Sequence, residues 1–165
     1  MHRAGASLAA LLLLSPIAAT ASQEGWVQVA FLHPHAPRVV AGDARALFAD
    51  VNATRARHGL AVLTPDERLN DMALAVARQM AERRYFGHTD PSGVTFEDRL
   101  RAAGYYYRYA AENMALDSDE PHANAALINS PGHYRNIVDV HEHRLGVAAV
   151  EAADGETFYV EEFSD

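Results

Sequence analysis

Cysteine is absent from all 165 residues. Disulfides, cysteine-ligated zinc and thiol chemistry are excluded together, and a domain of this size without cross-links must be held by packing. Lysine is absent too. All 14 basic residues are arginine, which excludes Schiff-base chemistry on a lysine amine. Basic charge is outweighed by acid, leaving a formal net charge of -8. Such a chain lacks the basic face that phosphate binding needs, so nucleic acid is excluded as a partner and an anionic membrane surface is a poor one. Ser130 precedes a Pro-Gly turn, but no Gly-x-Ser-x-Gly elbow surrounds it, so no activated nucleophile motif is present. Internal repeats and low-complexity tracts are missing as well.

Long apolar runs are also lacking. The stretch from Ala4 to Ile17 is interrupted by Pro16 and falls short of the roughly 20 residues that span a bilayer. With the positive start Met1-His2-Arg3 and the small residues Ala19-Thr20-Ala21, residues 1–21 read as a signal peptide. The predicted product is secreted or periplasmic, with no membrane span after cleavage. Residues 22–41 are predicted to be a leader, in which His33-Pro34-His35 is a solvated tail. Residues 42–165 are predicted to be one domain. Charged residues make up 22% and the AVILMFWYC set 49%, which suits a globular domain with its own core.

Asp43 is placed to cap a first helix carrying Ala44, Leu47, Phe48 and Val51, with Gly59 as its stop. Asn52-Ala53-Thr54 matches a glycosylation sequon but sits in mid-helix. Thr64-Pro65-Asp66-Glu67 predicts a helix start, with Thr64 capping and Pro65 in the first turn. Leu69, Met72, Ala73, Val76 and Met80 then form one apolar stripe, and Arg83-Arg84 close the helix. Thr95 to Asp98 opens a short helix that Gly104 ends. Tyr105-Tyr106-Tyr107-Arg108-Tyr109 predicts sheet packing in a strand ending near Glu112. Asp117 to Pro121 is predicted to be an acidic loop, Ala123 to Asn129 a weak helix, and Ser130-Pro131 the start of another. Residues 144–150 and 157–163, joined by Asp154-Gly155, predict a hairpin. The order gives an α+β fold, a small antiparallel sheet covered by helices.

Three turn-rich stretches carry the chemistry. Tyr85-Phe86-Gly87-His88-Thr89-Asp90-Pro91 offers an imidazole, Ala111-Glu112-Asn113 a carboxylate, and Ser130-Pro131-Gly132-His133-Tyr134-Arg135-Asn136-Ile137 a second imidazole. His88, Glu112 and His133, with Asn136, are expected to meet in one polar cleft. Two imidazoles and a carboxylate are a common zinc set. They are equally a general acid–base set, or a hydrogen-bonded cluster that ties loops together. His141-Glu142-His143 could place two rings on one strand face, but it reads better as a solvated loop before the hairpin.

These stretches, with Asn52-Ala53-Thr54-Arg55, Gly59-Leu60, Leu69 to Met80, Gly104-Tyr105 and Leu145-Gly146-Val147, resemble the CAP superfamily, the SCP or PR-1-like domains, in its bacterial secreted form. The resemblance implies a three-layer α-β-α sandwich with a central cleft lined by two histidines and acidic residues, matched here by His88, Glu112 and His133. Many members add a second glutamate before the last histidine. Here that region reads Leu127-Ile128-Asn129-Ser130, so that acid is absent.

The expected function is a secreted ligand- or interaction-binding module for a small molecule, lipid or protein. No cofactor is required. A divalent cation, zinc or magnesium, is compatible with His88 and His133. The alternative is a hydrolase of peptide, cell-wall or ester substrates with His88, Glu112 or His133 in general acid–base roles.

Overall fold

Leu69, Ala73, Val76, Ala77 and Met80 recur at helical spacing, and in the computed structural model, which describes residues 35–165, they are the buried stripe of one helix. The predicted signal peptide and most of the predicted leader lie outside the described residues. The elements run β1 (Arg38–Val39), α1 (Ala41–Arg57), β2 (Thr64–Pro65), α2 (Glu67–Arg83), α3 (Phe96–Ala102), β3 (Ala110–Asp117), α4 (Glu120–Asn129), α5 (Pro131–Ile137), β4 (Arg144–Glu151) and β5 (Thr157–Ser164).

The sheet order is β1-β4-β5-β3, antiparallel along this path, with β2 added parallel to one end of β4. Side chains alternate across it. Leu145, Val147, Ala149, Tyr159 and Phe163 pack with Leu47 and Val51 of α1, Leu127 of α4 and Ile137 of α5. Ala148, Val150, Phe158, Val160 and Met114 pack against α2. Helices therefore cover both faces, giving an α+β, three-layer α-β-α sandwich. β5 is central and buried over its whole length, while β3 is an edge strand. That edge carries the site.

Several local expectations are corrected. Asp43 does not cap α1. The helix starts two residues earlier, at Ala41 after Val40, and the Asp43 carboxylate accepts a hydrogen bond from the Tyr159 hydroxyl at 3.0 Å. Arg38–Val39, in the predicted leader, pair with Val150 and Glu151 of β4. Thr64 and Pro65 are not the first turn of α2. They pair with Arg144 and Leu145, and Asp66 caps instead, accepting from the amides of Arg68 and Leu69 at 2.9 and 3.1 Å. Pro65 has no N–H to offer, which suits a two-residue edge strand.

The tyrosine run precedes β3 instead of entering it, so Glu112 lies near the start of the strand. Of the run only Tyr105 is buried, while Tyr106 is 92% exposed. α4 begins inside the predicted acidic loop because Asp119 accepts from the His122 amide. Asn52 of the sequon is tied on both sides to the backbone of Leu63. Thr95 caps α3 with a reciprocal box to Asp98, as its sequence predicts.

Candidate functional site

Strand alternation sorts the polar residues of β3 and β5 into two groups. Glu112 stands opposite Glu162, and Asn113 opposite Glu161. Partners directly across a ladder share a face, so each pair projects to its own side of the sheet.

On the α2 and α3 side, the Glu112 side chain is only 1% exposed. Its Oε1 meets His88 Nδ1 at 2.8 Å, and its Oε2 accepts from Arg99 Nη2 at 2.5 Å. Arg99 also donates from Nη1 to the His88 carbonyl at 3.1 Å, so one guanidinium fixes both the acid and the loop bearing the imidazole. The His88 side chain remains 55% exposed. Its pKa is raised, first by the Glu112 hydrogen bond and then by the Glu112 charge, against the opposing effect of burial. Asp90 holds the loop in shape. Its Oδ1 accepts from the Ser92 amide and hydroxyl and from the Val94 amide, and its Oδ2 accepts from Gln79.

On the α4 and α5 side, Asn113 is fully buried. Its Nδ2 donates to Glu161 at 2.9 Å and to the His133 carbonyl at 3.1 Å, and its Oδ1 accepts from Asn136 Nδ2 at 2.8 Å. His133 is half-buried. Burial lowers its pKa, and the charge of His88 lowers it further. His88 and His133 are therefore near enough for the charge of one to act on the other. Among the described residues no hydrogen bond joins His133 to His88 or Glu112.

An open hollow of about 330 Å3 is lined by His88, Thr89, Thr95, Phe96, Glu97 and Glu112. A larger apolar hollow of about 570 Å3 lies where β4 runs between β1 and β2, lined by residues such as Val39, Phe48, Pro65 and Leu74. It gathers no cluster of interacting titratable groups, so the chemistry is assigned to the smaller one. Of the other histidines, His141 stacks on Tyr109 with centroids 4.1 Å apart and pairs with Asp139. Among the described residues, no group of three or more His, Asp or Glu side chains is placed to hold a metal ion.

Sequence reasoning missed Arg99, Asn113, Glu161 and Glu162. Asn113 was quoted only as a neighbour of Glu112. Glu161-Glu162 had a visible signal, two acids in the middle of a predicted strand whose neighbours are all apolar or aromatic. Both are fully buried, and burial raises both pKa values, that of Glu161 to about 7.

Burial also raises Glu120 and Glu142 to about 7, with Asp50 and Asp43 adding for the first and Asp139 and Asp165 for the second. The folded state holds these protons more tightly than the unfolded chain, whose glutamates titrate near 4.5. Their stabilisation is complete below that value and is lost as pH rises toward 7 and beyond. His88 acts in the same direction and His133 against it. The melting temperature is therefore expected to be higher at pH 5 than at pH 8. Glu161→Gln should raise it at pH 8 and much less at pH 5, a comparison that calorimetry makes directly.

A mostly antiparallel sheet between two helical layers is the fold that solved SCP-domain structures share with this chain. An SCP-domain protein of Bacillus anthracis superposes with a TM-score of 0.67 at 32% identity over 75% of this chain and 40% of that one. An outer surface protein of Borrelia burgdorferi superposes with a TM-score of 0.72 at 21% identity, over 78% and 97% of the two chains, and shows the shared fold. The Bacillus subtilis protein YkwD is 32% identical over 118 residues, 71% of this chain and 46% of its own. The chain thus spans half or less of the curated relatives it matches. The model of the cysteine-rich secretory protein family, CAP, matches residues 48–163. The chain belongs to the CAP family, as a member without cysteine.

Proposed function

We propose that the domain is a secreted binding module whose ligand seats at the β3 edge, against His88, Arg99 and Glu112. The observation that carries this is a buried carboxylate clamped between an exposed imidazole and a guanidinium at the floor of an open polar hollow. Rigid, pre-oriented polar groups in a hollow of this size suit recognition of a small polar group. Export is supported by the signal-like first 21 residues and by the extracellular and outer-surface proteins among the structural relatives. A screen of small polar compounds, peptides and lipids by protein NMR is expected to find a ligand that shifts His88 and Thr95. Its affinity should fall at least tenfold in His88→Ala. Ligands that bind only elsewhere would overturn the assignment.

Two finer readings meet the same geometry. Both Glu112 oxygens are already hydrogen-bonded and its side chain is only 1% exposed, so a substrate proton reaches it less readily than it reaches His88. Turnover of any substrate that Glu112→Gln abolishes would replace binding with hydrolysis. A divalent cation would have His88 and His133 as its imidazoles; the Nδ1 of His88 is engaged by Glu112, which leaves Nε2 as the nitrogen free to ligate. Zinc titrated into the wild type and a His88→Ala/His133→Ala variant tests this. Weaker binding by the variant supports the cation, and equal affinity removes it.

A further inference from the structure

We propose that Glu112 and Glu162 hold a single proton between them, carried by Glu162, and that Glu162 is thereby the neutral acid that positions Glu112 as the standing anion of the site. The two residues are direct partners across β3 and β5 and point to the same side of the sheet. Glu162 is fully buried, and neither of its carboxyl oxygens receives an N–H or O–H from any described neighbour.

The elements packed around it explain why. On β4 its partner is Gly146, which has no side chain to donate, and α2 fills the space above that glycine with the backbone of Leu69 and Asn70. From α3 comes Arg99, whose Nη2 and Nη1 are spent on Glu112 and on the His88 carbonyl and whose Nε is buried without a partner. The charged groups acting on Glu162 are the Glu112 carboxyl, which it contacts, and the Arg99 guanidinium. Two ionised carboxylates in contact, out of water, would repel with nothing between them. One proton turns that contact into an O–H···O⁻ hydrogen bond, the arrangement that a shared-proton acid pair adopts.

The proton belongs on Glu162 because the two environments differ. Glu112 already accepts from a guanidinium on one oxygen and meets an imidazole on the other. Glu162 has no donor, and burial pushes its carboxyl well above the usual range, with the Glu112 charge adding to it. Three acceptor directions on Glu112 are then filled by Arg99, His88 and the Glu162 hydroxyl. His88 faces one negative charge instead of two. The place between the two acids is filled by a proton and is closed to a divalent cation. The cross-strand register and the donorless burial of Glu162 carry this, whatever ligand the site takes.

The test uses the full chain at pH 8, above the value near 7 to which Glu120, Glu142 and Glu161 are pushed. Infrared spectra of the wild type should show the carbonyl stretch of a protonated carboxyl that Glu162→Gln removes and Glu161→Gln keeps. In Glu162→Gln, whose amide donates as the acid does, the His88 titration followed by NMR should stay within about 0.3 pH units of wild type. Absence of the band from the wild type would overturn the proposal, as would its survival in Glu162→Gln. A fall in the His88 midpoint of about one unit in that variant would do the same, because it would show that a charge had been removed. Should Glu162→Gln not fold, the carboxyl carbon shift of Glu162 in labelled wild-type protein at pH 8 decides, with an acid-form shift expected and an ionised one contradicting.

Discussion

Arg55→Met is expected to cost about 4 kcal/mol or more, enough to lower the melting temperature by more than about 10 °C. The side chain sits on α1, is 1% exposed, and spends its guanidinium on four carbonyls. Nε donates to Ala61 at 2.8 Å, Nη1 to Ile137 and Asp139 at 3.0 and 2.8 Å, and Nη2 to Glu142 at 3.2 Å. These carbonyls belong to the loop after α1, the end of α5 and the approach to β4, so one side chain ties three segments that have no strand or helix in common. Methionine fills much of the volume and supplies no donor. Each abandoned buried carbonyl then costs on the order of 1 kcal/mol or more. Arg55→Lys keeps the charge but cannot reproduce the planar fork, so it should fall between the two. A loss below about 1 kcal/mol for Arg55→Met in denaturant unfolding would show that water replaces the guanidinium and that the three segments hold without it.

Gly146→Ala is the second large effect. A Cβ at this position on β4 would lie 2.2 Å from the Leu69 carbonyl carbon and 2.4 Å from the Asn70 nitrogen. Both are backbone atoms of the first turns of α2, so no rotamer change relieves the overlap. The helix must lift from the sheet, and with it the Asn70 side chain that accepts from the Val147 amide at 2.9 Å. The expected loss is about 3 kcal/mol, at the upper end of the usual range for overpacking. Gly146 also faces Glu162 across the ladder, so the variant should disturb the His88 resonances as well. Wild-type stability with unchanged His88 resonances would mean that α2 can move off β4 freely.

The elements that periodicity sets were legible in the sequence. The α2 stripe, the Thr95 cap and the terminal hairpin follow from spacing and turn chemistry alone. Boundaries failed where tertiary pairing overrode local preference. Thr64-Pro65 has strong helix-start chemistry, yet β4 recruits it as a strand and Asp66 takes over the cap. The tyrosine run has high strand propensity, but the β3–β5 register begins at Ala110 opposite Ser164, and the run lies before it. His88 and Glu112 were singled out because both sit in turn-rich or small-residue segments, and the structure joins them directly. His133 and Asn136 were grouped with them; the His133 carbonyl and the Asn136 side chain bond to Asn113, the neighbour of Glu112, and the charge of His88 acts on His133. Arg99 and Glu162 could not be found by motif. Their place is set by the register of β3 against β5 and by where α3 lands, neither of which local sequence encodes.

A negative charge on Glu112, buried at the β3 edge against both His88 and Arg99, underlies the proposed binding site as a whole. NMR titration of the His88 ring in wild type and in Glu112→Gln tests it most directly. The wild-type midpoint is expected above the ordinary 6.5 and should drop in the variant, since the hydrogen bond to the Glu112 carboxylate is the largest contribution holding it up. The same midpoint in both proteins would mean that Glu112 carries no charge where His88 meets it, and the site as described here would not exist.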